Sequence, residues 1–208
     1  MTDVKVCGLT RPEDVDLACD LGAAYVGFNF ASVSPRRVSI EEARRLASVA
    51  PAGVLRVGVF VEESDASIGA AVAAARLDLL QIHRPLSEND LERLPRPVIA
   101  VARVAGRAVE LPAEQVIAKC RSLLFDTVVP ERPGGTGVAF DWAVLGHRRF
   151  PIPILLAGGL DAGNVGEAIF RVRPGAVDVA SGVEASPGIK DEKRMRAFFE
   201  AVRKADAS

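Results

Sequence analysis

Two residues in this chain stand where an acid and a base would be useful. Cys7 closes the apolar run Asp3-Val4-Lys5-Val6-Cys7, and Asp126 closes Ser122-Leu123-Leu124-Phe125. A thiol serves as a base only when its pKa lies near the working pH, and a cation beside it moves it that way. Strand alternation puts Lys5 on the same face as Cys7, so the sequence predicts a thiol eased toward thiolate. A carboxyl ending a buried apolar strand is pushed the other way, because loss of water favours its protonated, proton-donating form. Taken alone, each residue also has a plain structural account: Cys7 as a buried small hydrophobe, Asp126 as a cap for the loop behind it.

Two glycine-rich segments, Leu156-Ala157-Gly158-Gly159-Leu160 and Val179-Ala180-Ser181-Gly182-Val183-Glu184, allow a ligand close to the backbone. Gly158, Gly159, Ser181 and Gly182 are therefore candidates to hold a phosphate dianion, helped by a short extra helix near Val183. A third segment, Pro133-Gly134-Gly135-Thr136-Gly137, lacks the Gly-Lys-Ser/Thr of a nucleotide P-loop and reads as a lid over residues 128–138. Arg36, in Ser34-Pro35-Arg36-Arg37, offers a planar fork suited to a carboxylate, with Arg37 as its competitor. His83 on its own reads as a hydrogen-bonded core or rim histidine, and His147, beside Arg148 and Arg149, as solvated. Cys7, Cys19 and Cys120 form no C-x-x-C pair, and two histidines without clustered carboxylates are too few for a transition-metal site, so no disulfide framework and no metal are expected.

Such residues need a scaffold, and the chain alternates short Val/Ile/Leu runs with segments of helical period. Eight strands are predicted at Asp3–Cys7, Ala24–Phe28, Val54–Val61, Leu77–Ile82, Val98–Arg103, Ser122–Thr127, Ile152–Ala157 and Ala176–Ala180. Helices are predicted at Pro12–Leu21, Ile40–Val49, Ala66–Ala75, Ala162–Arg171 and Lys190–Lys204, with capping boxes at Ser39/Glu42 and Thr10/Glu13. Helical patterning also surrounds Cys120, whereas Gly106–Glu114 reads as a long loop. Eight units of about 26 residues fit an α/β protein of the (β/α)8 TIM-barrel class, and the first strand lacks the G-x-G-x-x-G of a dinucleotide fold. In a barrel, chemistry sits at the strand C-terminal ends, and Cys7, Gln81, His83, Asp126 and both phosphate candidates fall there.

The 208 residues suit a single domain over 1–208, with a formal net charge of −1 and no basic block interleaved with aromatics. A small-molecule ligand is expected rather than nucleic acid. The N-terminus lacks a basic-then-apolar leader, and no apolar run approaches the ~20 residues that span a bilayer, so no membrane association and a cytoplasmic location are expected.

The motifs Lys5-Val6-Cys7-Gly8-Leu9-Thr10, Ser34-Pro35-Arg36, Leu124-Phe125-Asp126-Thr127, Gly134-Gly135-Thr136-Gly137 and Asp178 through Glu184 together resemble the phosphoribosylanthranilate isomerase family of tryptophan biosynthesis. The resemblance runs from Lys5 to Asp191 and implies a cofactor-free Amadori rearrangement in a monomer. It implies Cys7 as general base, Asp126 as general acid, Arg36 on the anthranilate carboxylate, and Lys5, Gln81, His83 and Asp178 as further substrate-binding residues. Asn29, Arg37 and Arg84 depart from the family's usual residues, and an added cation at the mouth would favour an aminoaldose-phosphate isomerase of broadened specificity. Two other barrel isomerases compare poorly: one uses a pair of aspartates, the other needs more histidines. A catalytically inactive phosphate-binding barrel is disfavoured by the presence of both Cys7 and Asp126.

Overall fold

The computed structural model describes residues 1–127, 140–145 and 149–208, and a closed ring of eight parallel strands forms its centre. The first five are β1 (Asp3–Val6), β2 (Tyr25–Asn29), β3 (Leu55–Phe60), β4 (Leu79–Ile82) and β5 (Val98–Ala105). A short β6 (Ala108–Glu110) folds back antiparallel on β5, and β7 (Ser122–Thr127), β8 (Ile154–Leu156) and β9 (Ala176–Val179) complete the ring. Closure comes from two pairings, β1 with β9 and β4 with β5. Outside lie α1 (Pro12–Asp20), α2 (Ile40–Ala47), α3 (Asp65–Ala75), α4 (Glu88–Arg93), α5 (Glu114–Lys119), α6 (Val165–Val172) and α7 (Glu192–Asp206). All eight expected strands are present, each boundary shifted by at most about two residues.

Alternation along the strands sorts the apolar side chains into two sets. Val57, Leu79, Ile99, Leu124 and Leu155 pack together in one cluster inside the ring. Their chain neighbours Leu80, Ala100, Leu123, Phe125 and Leu156 belong to the larger cluster between strands and helices. Each buried Leu, Ile or Phe contributes roughly 1.5–3 kcal/mol, and a one-residue slip would exchange the two sets, so both faces pin the register. The inward phase also carries Lys5, Gln81, Arg103, Asp126 and Asp178, in step with Tyr25, Leu79, Ile99, Leu124 and Ala176. Core packing therefore aims the polar residues.

Several local expectations are corrected. Ser39 and Glu42 do form a reciprocal capping box, but Thr10 does not cap α1; its hydroxyl donates to the Gly188 carbonyl, and Arg11 is the cap residue. Lys190 does not open the last helix: it lies in β11 (Ile189–Lys190), which pairs antiparallel with β10 (Glu184–Ser186), and Asp191 caps α7. Gly106–Glu114 holds β6 rather than a bare loop. Helix α4 escaped the periodicity search because it buries no residue, its start held by the Ser87–Asp90 capping box. The expected lid over 128–138 and His147 lie outside the described residues. Among the described residues no helix is long and apolar enough to cross a membrane.

Candidate active site

A cavity of about 390 Å³ opens at the C-terminal end of the ring, the end where barrels place chemistry. Cys7, Arg36, Gln81, His83, Asp126, Asp178, Gly158, Gly159 and Ser181 all line it. Two expected site residues do not. Lys5 is fully enclosed one inward position below Cys7, with its ammonium 2.9 Å from Asp178, so the expected substrate contact is corrected to a supporting one. Gly182 stands behind the lining, where its backbone packs so closely on the Leu160 carbonyl that a Cβ would collide with it. It holds the two glycine-rich loops together. Gly158 needs its own freedom: its φ is +85°, and a side chain there would meet Thr127.

The electrostatics of Cys7 overturn one expectation. Burial pushes the thiol up and Asp178 adds to the rise; Lys5, Lys190 and Arg36 pull against it, yet the net direction is above the ordinary thiol value. The Lys5 charge opposes the rise most, but burial outweighs it, and Asp178, 2.9 Å from the Lys5 ammonium, offsets part of what it supplies. For Lys5 itself, burial lowers the pKa most, and Asp178 and Cys7 together outweigh it, so the ammonium is retained. Space for this arrangement comes from Gly27 on β2, where a Cβ would lie 2.9 Å from the Cys7 Sγ and 3.3 Å from the Lys5 Nζ. Gly27→Ala is therefore expected to lower kcat on the order of tenfold by displacing the thiol, with KM little changed. Wild-type kcat in that variant would dismiss the steric argument.

Asp126 behaves as the sequence suggests. Desolvation raises its pKa to about 6, the Asp178 charge adds to the rise, and a backbone hydrogen bond from Thr127 and the Lys5 charge only partly oppose it. His83 goes the other way, to about 4, because burial and then the charges of Lys5 and Arg103 disfavour an imidazolium. It is neutral at neutral pH, with Nε2 2.8 Å from the Gln81 Nε2, so that ring nitrogen accepts from the amide. The Gln81 Oε1 and the Asp178 Oδ1 are buried without a hydrogen-bond partner among the described residues, and both residues line the cavity. Buried acceptors of this kind call for a donor, and a ligand hydroxyl or amine would supply it.

Arg36 is held by Glu184, with Nε and Nη2 at 2.8 and 2.7 Å from the two carboxylate oxygens. That bidentate pair fixes the guanidinium plane and uses one edge, and the Nη1 edge is the one not engaged by Glu184. Burial would raise the Glu184 pKa, but Arg36 and Lys190 together bring it below the usual carboxylate range. Arg103 is a lining residue that the motif reading passed over. Its Nη2 donates to the His83 carbonyl at 2.6 Å, and its inward phase with Ile99 on β5 was the available signal. Among the described residues no three His, Cys, Asp or Glu side chains gather as a metal would require.

The family profile of N-(5'phosphoribosyl)anthranilate (PRA) isomerase matches residues 4–201, almost the whole chain. The chain belongs to this family. Among named isomerases of the family, one from Pseudomonas putida strain F1 is 45% identical over 201 residues, covering 97% of both chains. One from Paramagnetospirillum magneticum is 41% identical over 208 residues, again covering 97% of each. The crystal structure of phosphoribosyl anthranilate isomerase from Thermotoga maritima superposes with a TM-score of 0.87 at 36% identity, covering 98% of this chain and 100% of that one. A phosphoribosyl anthranilate isomerase solved in complex with reduced 1-(o-carboxyphenylamino)-1-deoxyribulose 5-phosphate gives 0.81 at 36% identity, with the same coverage.

Within the phosphoribosylanthranilate isomerase family the three unusual residues fall out differently. Asn29 lines the cavity, its Oδ1 accepting from the Ala31 N–H. Arg37 is exposed, and Arg84, expected at the mouth, turns away to Asp65 and Asp90. Besides Arg36, the arginine that lines the cavity is Arg103.

Proposed function

We propose that Cys7 and Asp126 are the base and acid of the isomerisation of N-(5'-phosphoribosyl)anthranilate to 1-(2-carboxyphenylamino)-1-deoxy-D-ribulose 5-phosphate, a step of tryptophan biosynthesis. One observation carries the roles: a thiol and a carboxyl with a pKa of about 6 face the same cavity at the catalytic end of the ring. The protonated Asp126 donates to the furanose ring oxygen as the C1′–O bond breaks and the anilino nitrogen forms a Schiff base. The Cys7 thiolate then takes the C2′ proton, and the electron pair moves to give an enolamine that tautomerises to the ketone. Neither step needs a cofactor.

The rest of the cavity divides by charge. The backbone at Gly158, Gly159 and Ser181 holds the phosphate, with Gly182 keeping the two loops in contact. Gln81, His83 and Asp178 meet the sugar's polar groups, and the Asp178 Oδ1 accepts from one of them. Arg36 meets the anthranilate carboxylate with the guanidinium edge that Glu184 leaves open. We further propose a single catalytic domain over residues 1–208, acting as a monomer in the cytoplasm on a small-molecule substrate.

Conversion of N-(5'-phosphoribosyl)anthranilate by the purified chain tests the activity, and its absence at saturating substrate would end this reading. For the carboxylate contact, Arg36→Ala is expected to raise KM for the anthranilate-bearing substrate by about 10²-fold, the loss of a charge-assisted hydrogen bond of roughly 1.5–3 kcal/mol. Competition by free ribose 5-phosphate should hardly change. An equal loss for both ligands would take the carboxylate from Arg36.

A further inference from the structure

Lys190 is a buried lysine that does not line the cavity, and its side chain is fully enclosed. Its Nζ makes three contacts: the Cys7 carbonyl at 2.7 Å, the Ala180 carbonyl at 3.1 Å and the Glu184 carboxylate at 2.9 Å. Cys7 bears the thiol, Ala180 leads into the Ser181–Val183 turn beside the phosphate loop, and Glu184 holds Arg36. An ammonium has three N–H donors and no acceptor, so these contacts use its full capacity. The hairpin that delivers Lys190 turns at Gly188, whose φ is +83° and whose N–H donates to Glu184 at 3.2 Å. From the other side the Lys190 N–H donates to Asp14 at 3.1 Å.

We propose that Lys190 is the positioning residue for the base: its ammonium ties the end of β1 to the phosphate loop and to the Arg36–Glu184 pair. This assignment rests on Cys7 acting as the base. Burial leaves the Lys190 pKa below the ordinary lysine value, with Glu184 and Cys7 pulling it back up and Arg36 adding to the fall; the two carbonyls and one carboxylate on its three N–H donors are what keep the charged form tolerable here. The charges meeting Cys7 are Lys5 from β1, Asp178 from β9, Arg36 from the loop after β2 and Lys190 from β11, with Asp126 of β7 and neutral His83 across the cavity. Lys5 is balanced by Asp178. Glu184 is shared between two cations, Arg36 and Lys190, so the group around it carries a net positive charge that favours the thiolate.

The Lys190→Met variant tests this in a Cys19→Ala, Cys120→Ala background, where iodoacetamide can modify only Cys7. The alkylation profile and the alkaline limb of kcat/KM are both expected to move up by about one pH unit, with kcat reduced about tenfold or more. Lys190→Arg should return both profiles to their original position. Lys190→Gln, which keeps a donor without the charge, provides the same reading if the methionine variant does not fold. Profiles that stay in place in the neutral variants, whatever happens to kcat, would show a purely structural lysine and overturn the proposal. Full activity of Cys7→Ser would instead remove the base assignment beneath it, so the two failures are distinguishable.

Discussion

Asp126→Asn is expected to cut turnover by about 10²–10⁴-fold while leaving KM nearly unchanged, because the amide keeps the shape of the carboxyl and loses its transferable proton. The same substitution should stabilise the protein at alkaline pH. Asp126 titrates near 6 in the folded state, above the ordinary ~3.9 of an unfolded chain, so the folded protein holds this proton more tightly. That preference contributes stability in full below pH ~4 and is lost as pH rises through 6, where the fold must accommodate a desolvated charge beside Asp178. An asparagine avoids the charge. About 2 kcal/mol of relative stabilisation is expected above pH 7, discounted because water reaches the cavity, and none below pH 4. Denaturant midpoints at pH 8 and pH 4 give the comparison, and a variant less stable than wild type at pH 8 would contradict the assigned shift. A mutation that costs activity and gains stability is the expected mark of a strained functional group rather than a structural one.

The ring of strands was legible because its two faces obey one rule. Period-2 alternation between Leu123/Phe125 outside and Leu124/Asp126 inside marks both the strand and the direction of its terminal carboxyl. The same rule placed Lys5 and Cys7 on one face, but phase says nothing of depth. One inward position, about 6.6 Å along the strand, separates a residue that lines the cavity from one buried under its floor. Nor does phase weigh competing effects: Lys5 is a partner for Cys7 as read, but burial of the thiol outweighs its charge, and Asp178 shares the ammonium. Lys190 was illegible for a different reason. In a stretch reading Ile189-Lys190-Asp191-Glu192-Lys193 it looks like one more solvated charge at a helix start. A turn at Gly188 folds it back under Cys7, and that contact joins residues 183 positions apart. Arg103, by contrast, carried a readable signal, a charge in the inward phase at the catalytic end of β5.

Cys7→Ser should lower turnover by about the same 10²–10⁴-fold, and its diagnostic is the pH profile rather than the size of the loss. The reaction needs the thiolate and the protonated carboxyl together, yet burial holds the Cys7 pKa above its ordinary value while Asp126 titrates near 6. The base is therefore the weaker acid of the two. Between the two titrations the commoner species has the proton on sulfur and the charge on the carboxylate; the productive arrangement is a minor tautomer with the same total charge. Its population is set by the gap between the two groups, each unit of separation costing about tenfold. The bell in kcat/KM then rises on its acid side with the value near 6 and falls on its alkaline side with the thiol, values that belong to the pair. A serine cannot ionise in this range, so the variant should lose the alkaline limb along with its turnover. Retention of that limb in Cys7→Ser would assign it to another group and leave the sulfur without a part in the chemistry.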